Sequence, residues 1–516
     1  MNKHFSCISI IISALFFAPV FLTPAHAASS PNVTFSRGIY TDMEFWTLEG
    51  LTTSNMYSIR PFAGSEVGRQ IAEALDKCNA MAMPSATCRD IQNRYTKLFD
   101  AEIAEARSPD NIVGTYIKPV EALSVTYNYL SGPFSTYNNE GIFYGEGNNA
   151  VIQFQSQARL GQVLSFFVQP VLIYNQHFGQ DEDNSRTTVR LHKGYAKLTV
   201  FNVELQAGRD SLWWGPGYHG ALLMSNNAHP FDMLKLSNPE PVVLPWILSY
   251  LGPVQFNLIF SQLNDERKGS ELANPFLYGL RLGLKPHPYL ELGASHLVIF
   301  GGPGRRDMNI SEILSTLYSN LNQDGQKTDS NQEFAADIAL TIPNLKKYIY
   351  LVDGIKLYAE VGGEDTGLPP DRRAYLAGLA FFKPFSLERT VFRGEYAIMS
   401  PYSVPQAWYN HSSYPMRYEG RVFGHHAGSD AEDIFLEWSQ SFEKFYYKLG
   451  FDRERSGVQA KITQLKMQYM GELGYRFNDN TNITLKYAYE DIDNFGNVEN
   501  ERQRNHYLGM EAAIQF

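Results

Sequence analysis

From about Glu121 onward, hydrophobic and polar residues alternate with a period of two. Ile483, Leu485, Tyr487 and Tyr489 alternate with Asn482, Thr484, Lys486 and Glu490. Leu465, Met467, Tyr469, Leu473, Tyr475 and Phe477 do the same against Lys466, Gln468, Glu472 and Arg476, as do Phe276, Tyr278, Leu280, Leu282 and Leu284 against Gly279, Arg281 and Lys285. Such stripes predict strands with one face in an apolar medium and the other in a polar one. A soluble sandwich would bury similar stripes in a core. These runs, however, reach about 10 to 13 residues, which suits a tilted membrane crossing better than sandwich strands of about 5 to 6.

The connections support the membrane reading. Tight-turn chemistry at Gly161-Gln162, Gly252-Pro253, Pro286-His287-Pro288 and Asn478 to Asn480 alternates with long segments near 132–147, 176–186, 210–240, 264–275, 300–331, 399–430 and 491–503. Short periplasmic turns and longer outer loops are the rule for outer-membrane barrels. Threading strands through this pattern predicts a mainly β fold, a transmembrane antiparallel barrel of about eighteen strands over residues 119–516, with a lumen wide enough for water unless loops or a plug fill it. The even number returns the C-terminus to the side where the barrel begins. In the last strand Leu508, Met510, Ala512 and Ile514 alternate with Gln515, Glu511 and Tyr507 before the terminal Phe516. An aromatic at that position resembles the signal that such barrels offer their insertion machinery.

Upstream the period lengthens. Residues 28–118 are expected to form a small periplasmic helical bundle, with apolar residues at three- and four-residue steps over Tyr40 to Gly50 and Ser65 to Leu75. Ser65 is the expected N-cap of the second helix. Thr87 is expected to cap a third, on which Ile91, Tyr95, Leu98 and Ile103 share a face. Before this, Lys3, an apolar run from Phe5 to Leu22 and the triplet Ala25-His26-Ala27 read as a secretory signal peptide over 1–27, cleaved after Ala27. Cys7 leaves with it. Cys78 and Cys88 then remain, in an oxidising compartment, as a natural disulfide stapling a helical hairpin.

Composition narrows the function classes. Aromatic residues make up 14% and charged residues only 19%, yet no later apolar stretch approaches the roughly 20 residues of a spanning helix. A barrel reconciles the two, since lumen and lipid faces average out while aromatics gather in interfacial girdles. The net charge of −10 argues against a nucleic-acid partner. The implied localisation is the outer membrane, with its lipid as one partner.

The densest functional segment is Gly208 to Tyr218, containing Arg209, Asp210, Trp213, Trp214 and Tyr218, followed by Asn226 and Asn227. The aromatics could stack on sugar rings while Arg209, Asp210 and the amides bond hydroxyls. The same residues could equally pack a re-entrant loop into the lumen, with Arg209 and Asp210 as a buried pair. Trp408 and Tyr409 in the 399–430 loop are further sugar candidates. Arg305 and Arg306, at the start of the 300–331 loop, would suit the carboxylates of an acidic polysaccharide. Ser211, His219 and Asp232 are triad residue types, but no Gly-x-Ser-x-Gly elbow accompanies them. His425 and His426, with Asp430, Glu432 and Asp433 nearby, invite a metal reading. Adjacent strand residues point to opposite faces, so the pair cannot chelate together without a kink, and a turn role beside Gly424 and Gly428 is favoured. No metal, other cofactor or catalytic residue is expected.

The Gly208–Tyr218 segment, the strand Phe276 to Lys285, and Gly420 to Ala431 together resemble the Wzi family of capsule assembly proteins. The stretches Phe45 to Leu51 and Arg60-Pro61-Phe62 look like that family's opening helices. The resemblance covers nearly the whole mature chain. It implies an eighteen-stranded barrel with a small periplasmic helical bundle, acting as an outer-membrane lectin that holds capsular polysaccharide on the cell surface. The Cys78/Cys88 pair departs from that pattern and leaves room for a branch serving another exopolysaccharide. A rival reading is a diffusion channel for small solutes or oligosaccharides. A third is an assembly partner whose helical hairpin docks on polysaccharide export machinery.

Overall fold

A computed structural model describes residues 27–35, 38–108, 114–176, 186–267, 269–303, 305, 308–317, 328–364, 372–399, 407–478 and 480–516. The expected signal segment up to His26, Cys7 within it, and Arg306 lie outside the described residues.

The wall is a closed antiparallel barrel. Its first strand, Tyr116–Ser131, pairs on one side with Gly147–Leu160 and on the other with the last strand, Arg502–Gln515, where Ala122 lies opposite Gln515. Closure removes the sheet edges, which a bilayer core cannot hydrate. Phe231–Ser237 and Val242–Val243 both pair with Pro253–Gln262 and form one interrupted stave. Asn238 bridges the interruption, donating to the carbonyls of Glu240 and Val254, both at 2.9 Å. Counted so, the wall has eighteen strands.

The period-two pattern sorts as expected. Along Phe276–His287, Leu277, Gly279, Arg281, Gly283 and Lys285 point inward and are buried, while Phe276, Tyr278, Leu280, Leu282 and Leu284 face out. Exposed aromatics gather near both rims. Phe201, Trp246, Tyr250, Tyr348, Tyr350 and Phe477 stand at the short-turn end, and Tyr129, Tyr174, Phe260 and Phe334 toward the long-loop end. These are the two girdles of a barrel in a bilayer.

Among the described residues, four helical pieces precede the wall: Ile39–Leu48, Gly64–Asn79, Ala86–Asp90 running on into a π-turn at Ile91–Tyr95, and Asp100–Arg107. Two capping expectations change. Ser65 sits one residue inside its helix and its N–H donates to Ser30 Oγ at 2.8 Å, so a distant serine satisfies that terminus. Ser85, not Thr87, caps the third helix by accepting from Cys88 N at 3.1 Å, while Thr87 Oγ1 donates to Glu49 at 2.6 Å. Local spacing cannot separate two neighbouring hydroxyls when tertiary acceptors compete for them. Cys78 and Cys88 are disulfide-bonded, with Cα atoms 5.7 Å apart.

The helices do not hang below the barrel as a separate bundle. They stopper its short-turn mouth, and Trp46, Ile71, Leu75 and Tyr95 share one apolar cluster with Ala380, Phe382 and Val391 of the wall. Ion pairs fasten the stopper. Glu44 meets Lys356 and Arg393, each at 2.7 Å. Glu105 chelates Arg159 at 2.6 and 2.8 Å, and Glu49 meets Lys383 at 2.6 Å. From the wall, Glu291 accepts the N–H groups of Tyr57 and Ser58 at 3.0 and 2.9 Å.

Arg159 is fully buried, so Glu105→Ala leaves its guanidinium without a counter-charge, which costs about 3–5 kcal/mol. The expected outcome is faster amide exchange and proteolysis within 39–107 while the heat-modifiable gel mobility of the barrel is unchanged. Identical exchange in both proteins would show that this pair does not hold the stopper.

The docked state also depends on pH. Burial alone would raise the Glu44 carboxyl, but Arg393 and Lys356 outweigh it and hold it down to about 2, against an ordinary 4.5. A depressed carboxylate contributes its full stability above its undocked value and loses it as pH falls toward the docked one. Protection of the Ile39–Leu48 amides should therefore stay constant from pH 7 to about 4.5 and decline toward 2. A decline centred near pH 6 to 7 would assign control to a histidine instead.

Candidate functional site

The lumen is filled from the long-loop end as well. After Asp210 the chain leaves the wall, folds inward, and rejoins it at Phe231. Trp213–Trp214 forms an antiparallel ladder with Ile59–Arg60 of the stopper, so the two plugs are joined inside the barrel. The Arg60 guanidinium lies 4.6 Å above the Trp213 ring and donates to Gly217 O at 3.1 Å. Gly215 makes the bend with φ of 123°, a backbone conformation that side chains disfavour. On the facing wall, a Cβ at Gly279 would meet Trp214 at 2.8 Å, so this glycine admits the indole.

A second inward loop locks over the first. Tyr409 donates its hydroxyl proton to Leu222 O and accepts from His425 N at 2.7 Å. Ser225 N donates to Phe423 O at 2.6 Å, and Asn227 Nδ2 to Val422 O at 3.2 Å. Asn226 Nδ2 donates to Asn138 O at 3.1 Å. Tyr218 donates to Glu437 at 2.9 Å beneath the Arg393 guanidinium. Arg305 pairs with Asp329 at 2.5 Å and donates to Tyr414 OH at 3.2 Å.

These positions revise several expectations. Trp214 and Trp408 are 0% exposed, Tyr409 1% and Trp213 4%, so none offers a ring face to an outside sugar. Loop aromatics packed inward and outward look alike in sequence, because a loop carries no period. Arg209 and Asp210 do not form a pair, since consecutive strand residues point to opposite faces. Arg209 lies outside and pairs with Asp232 at 2.8 Å, whereas Asp210 points into the lumen and accepts from Asn32 at 2.8 Å. Ser211, His219 and Asp232 do not converge, because His219 instead faces Asp433 and Asp452 at 3.5 and 3.6 Å. Burial alone would lower the His219 imidazole, but those two carboxylates outweigh it and push it up to about 10. The turn at His425 forms, with Gly428 N donating to His425 O at 3.0 Å. Yet the His425 and His426 rings stack at 4.6 Å on one side, because they lie in a loop and not in a strand.

A cluster at the long-loop rim carried no local signal. Between Gln169 and Pro170 the pairing register of strand Arg186–Val200 slips, so His192 and Lys193 both turn inward and both bond Glu140. Arg190 lies beside them, 85% covered, with Nη1 3.8 Å from Glu419. Its Nε and Nη2 have no acceptor among the described residues. Burial raises the Glu419 carboxyl above its usual range, and Arg190 partly offsets this. Burial, with Arg190 and His192, pushes neighbouring His229 well below its usual value. The rim thus brings Arg190 and Arg209 together, Arg209 a quarter exposed and Arg190 mostly covered, with its unpaired Nε and Nη2 away from solvent. At the opposite end, a cavity of about 490 Å³ remains between stopper and wall, bordered by Arg94, Arg389, Lys448, Glu472 and Lys486.

A closed eighteen-stranded wall with an apolar girdled exterior and an interior filled by its own chain defines a plugged outer-membrane β-barrel. Residues 130–507 match the family described as capsule assembly protein Wzi, and the chain belongs to that family. A Klebsiella pneumoniae relative, described as an uncharacterized 55.8 kDa protein in the cps region, is 26% identical over 187 residues. That match covers 36% of this chain and 35% of the relative, about a third of its length. Among solved structures, Wzi of Escherichia coli, described as a carbohydrate-binding outer-membrane β-barrel involved in group 1 capsule assembly, aligns with a TM-score of 0.66 at 17% identity. The alignment covers 95% of this chain and all of that one.

Tyr409→Phe removes one hydroxyl that serves two buried backbone groups, at a cost of about 1–3 kcal/mol. Amides of 211–230 and 420–428 should exchange faster, and those of Tyr116–Ser131 should not. Unchanged loop exchange would mean that this hydroxyl does not join the two inward loops.

Proposed function

We propose that this protein is a non-enzymatic outer-membrane lectin that holds capsular or another extracellular polysaccharide at the cell surface. In this reading the signal segment 1–27 is removed and the short-turn end, with the helical region 28–118, faces the periplasm. The long-loop end of the barrel, residues 119–516, faces outward. The observation that carries the proposal is the doubly plugged lumen. The ladder between Ile59–Arg60 and Trp213–Trp214 leaves the long-loop surface, not a pore, as the face open to a polymer. Family membership and the carbohydrate binding of the Escherichia coli relative support the same reading.

At that surface the expected sugar contacts move from the buried indoles to the rim. Arg209, a quarter exposed, and beside it Arg190, 15% exposed, suit the carboxylate of an acidic sugar, which a guanidinium binds through paired N–H groups. Arg305, Asn226 and Asn227 shape the floor, and Trp213, Trp214, Tyr218, Trp408 and Tyr409 support the loops from within. Each contact is weak, and a site of millimolar affinity corresponds to only about −4 kcal/mol. A polymer spanning many copies gains avidity. The stopper's periplasmic face is the surface open to export machinery.

Two measurements test this. Arg190→Ala should leave barrel assembly intact, weaken binding of an acidic oligosaccharide about tenfold, in line with the 1.5–3 kcal/mol of a charged hydrogen bond, and increase polymer shed from cells. Retention equal to wild type in Arg190→Ala, Arg209→Ala and their double variant would remove the rim from the proposal. In planar bilayers the wild-type protein should show no stable large conductance, and a sustained open channel would return the solute-pore reading to the front.

A further inference from the structure

Inside the lumen, toward the long-loop end, four side chains from four separate segments converge. His219 comes from the first inward loop, His426 from the second, Asp433 from strand Ala431–Ser441 and Asp452 from strand Phe445–Ser456. One ligand-type atom from each lies within 4.8 Å of all the others. His219 Nε2 is 3.5 Å from Asp433 Oδ2 and 3.6 Å from Asp452 Oδ2, and His426 Nε2 is 3.3 Å from Asp433 Oδ2. Zinc bonds of about 2.0–2.2 Å in a tetrahedron separate neighbouring ligand atoms by roughly 3.3–3.6 Å, so these three spacings match the edges of such a site.

Apart from Asp452 Oδ2, which accepts from Tyr137 OH at 3.5 Å, most of their polar atoms are unpartnered. His219 Nε2, both His426 ring nitrogens, both Asp433 oxygens and Asp452 Oδ1 have no hydrogen-bond partner among the described residues. All four side chains are at least nine-tenths buried, with exposures of 5%, 2%, 2% and 0%. Buried polar groups are normally satisfied, and a cation held between the four side chains would give one atom of each a partner. Apart from the His219 imidazole itself, the neighbouring charges are engaged elsewhere. Lys466 is committed to Glu454 at 2.8 Å, and Glu490 accepts from Gln468 and Asn505 at 3.0 and 3.2 Å. Ring stacking and one backbone hydrogen bond hold the two imidazoles in place. Tyr137 stacks on His426 at 4.0 Å, Phe435 on His219 at 3.9 Å, and Asn138 Nδ2 donates to His219 O at 2.6 Å.

We propose that His219, His426, Asp433 and Asp452 bind a first-row divalent cation of the zinc type, which clamps both inward loops to the barrel wall. Two imidazole nitrogens and two carboxylate oxygens suit that class. Two carboxylates balance its charge. His425, stacked on His426 with its Nε2 3.6 Å from Asp433, orients the ligand ring. The clamp stands apart from the rim, and it does not depend on what the rim binds.

The test uses the purified full-length barrel, freed of metal with a chelator and then given zinc or cobalt(II) alone. The expected result is one equivalent of metal per chain by mass spectrometry, with cobalt giving the visible absorption of a four-coordinate site. Asp433→Asn and His426→Gln should each lower metal affinity at least tenfold, while His287→Gln, at an exposed turn, should not. Chelating the wild-type protein should speed amide exchange in 211–230 and 420–428, and zinc should reverse it. Wild-type protein that takes up no metal, with loop exchange indifferent to chelator, would make this a proton-only cluster and overturn the proposal. Equal uptake by wild type, Asp433→Asn and His426→Gln would overturn it too.

Discussion

The structure depends on one demand: a sheet crossing lipid must satisfy every backbone N–H and C=O within itself, and closing the ring is the solution open to strands. Pairing of Tyr116–Ser131 with Arg502–Gln515 meets that demand. Eighteen strands then enclose a wide interior, and inward positions carry polar groups because outward ones must be apolar. Arg159, Arg281, Arg393, Lys285 and Lys356 thus arrive in the lumen as a consequence of the alternation. Such charges are costly to leave unpaired in a filled interior. Asp337 of the wall answers Arg281, and residues of the stopper answer the other four.

The filling is therefore part of the fold and not an accessory to it. The stopper and the first inward loop meet through a short ladder, and the second inward loop seals the first through Tyr409. Indoles that sequence would offer to a sugar become the internal fasteners of that assembly. What the barrel leaves to the outside is its rim. There a slipped register turns both His192 and Lys193 inward and sets Arg190 beside them. A surface of this kind suits a long ligand held weakly at many copies better than a solute passing through.

The two histidine expectations show how local reasoning can be sound and still miss the site. Neighbours in a strand do point to opposite faces, but His425 and His426 lie in a turn, where the rule does not apply. The partner that His426 meets is His219, more than two hundred residues earlier. Ser65 and Thr87 repeat the lesson in the helices, where Ser30 and Glu49, distant in sequence, decided which hydroxyl did the capping.

The amino-acid order alone determined the wall. A period of two is a property of one strand at a time, so alternation in segments such as Phe276–His287 reported each strand by itself, and the succession of short and long connections between strands gave the barrel its even number. The family could be read for a similar reason, since its motifs are contiguous. The interior was decided by tertiary structure. Whether Trp214 faces sugar or Gly279, whether Asp210 meets Arg209 or Asn32, and whether His219 meets Ser211 or Asp433 are questions of distance between segments far apart in the chain. Loops carry no period from which such distances could be inferred, and only closure of the barrel brings their residues together.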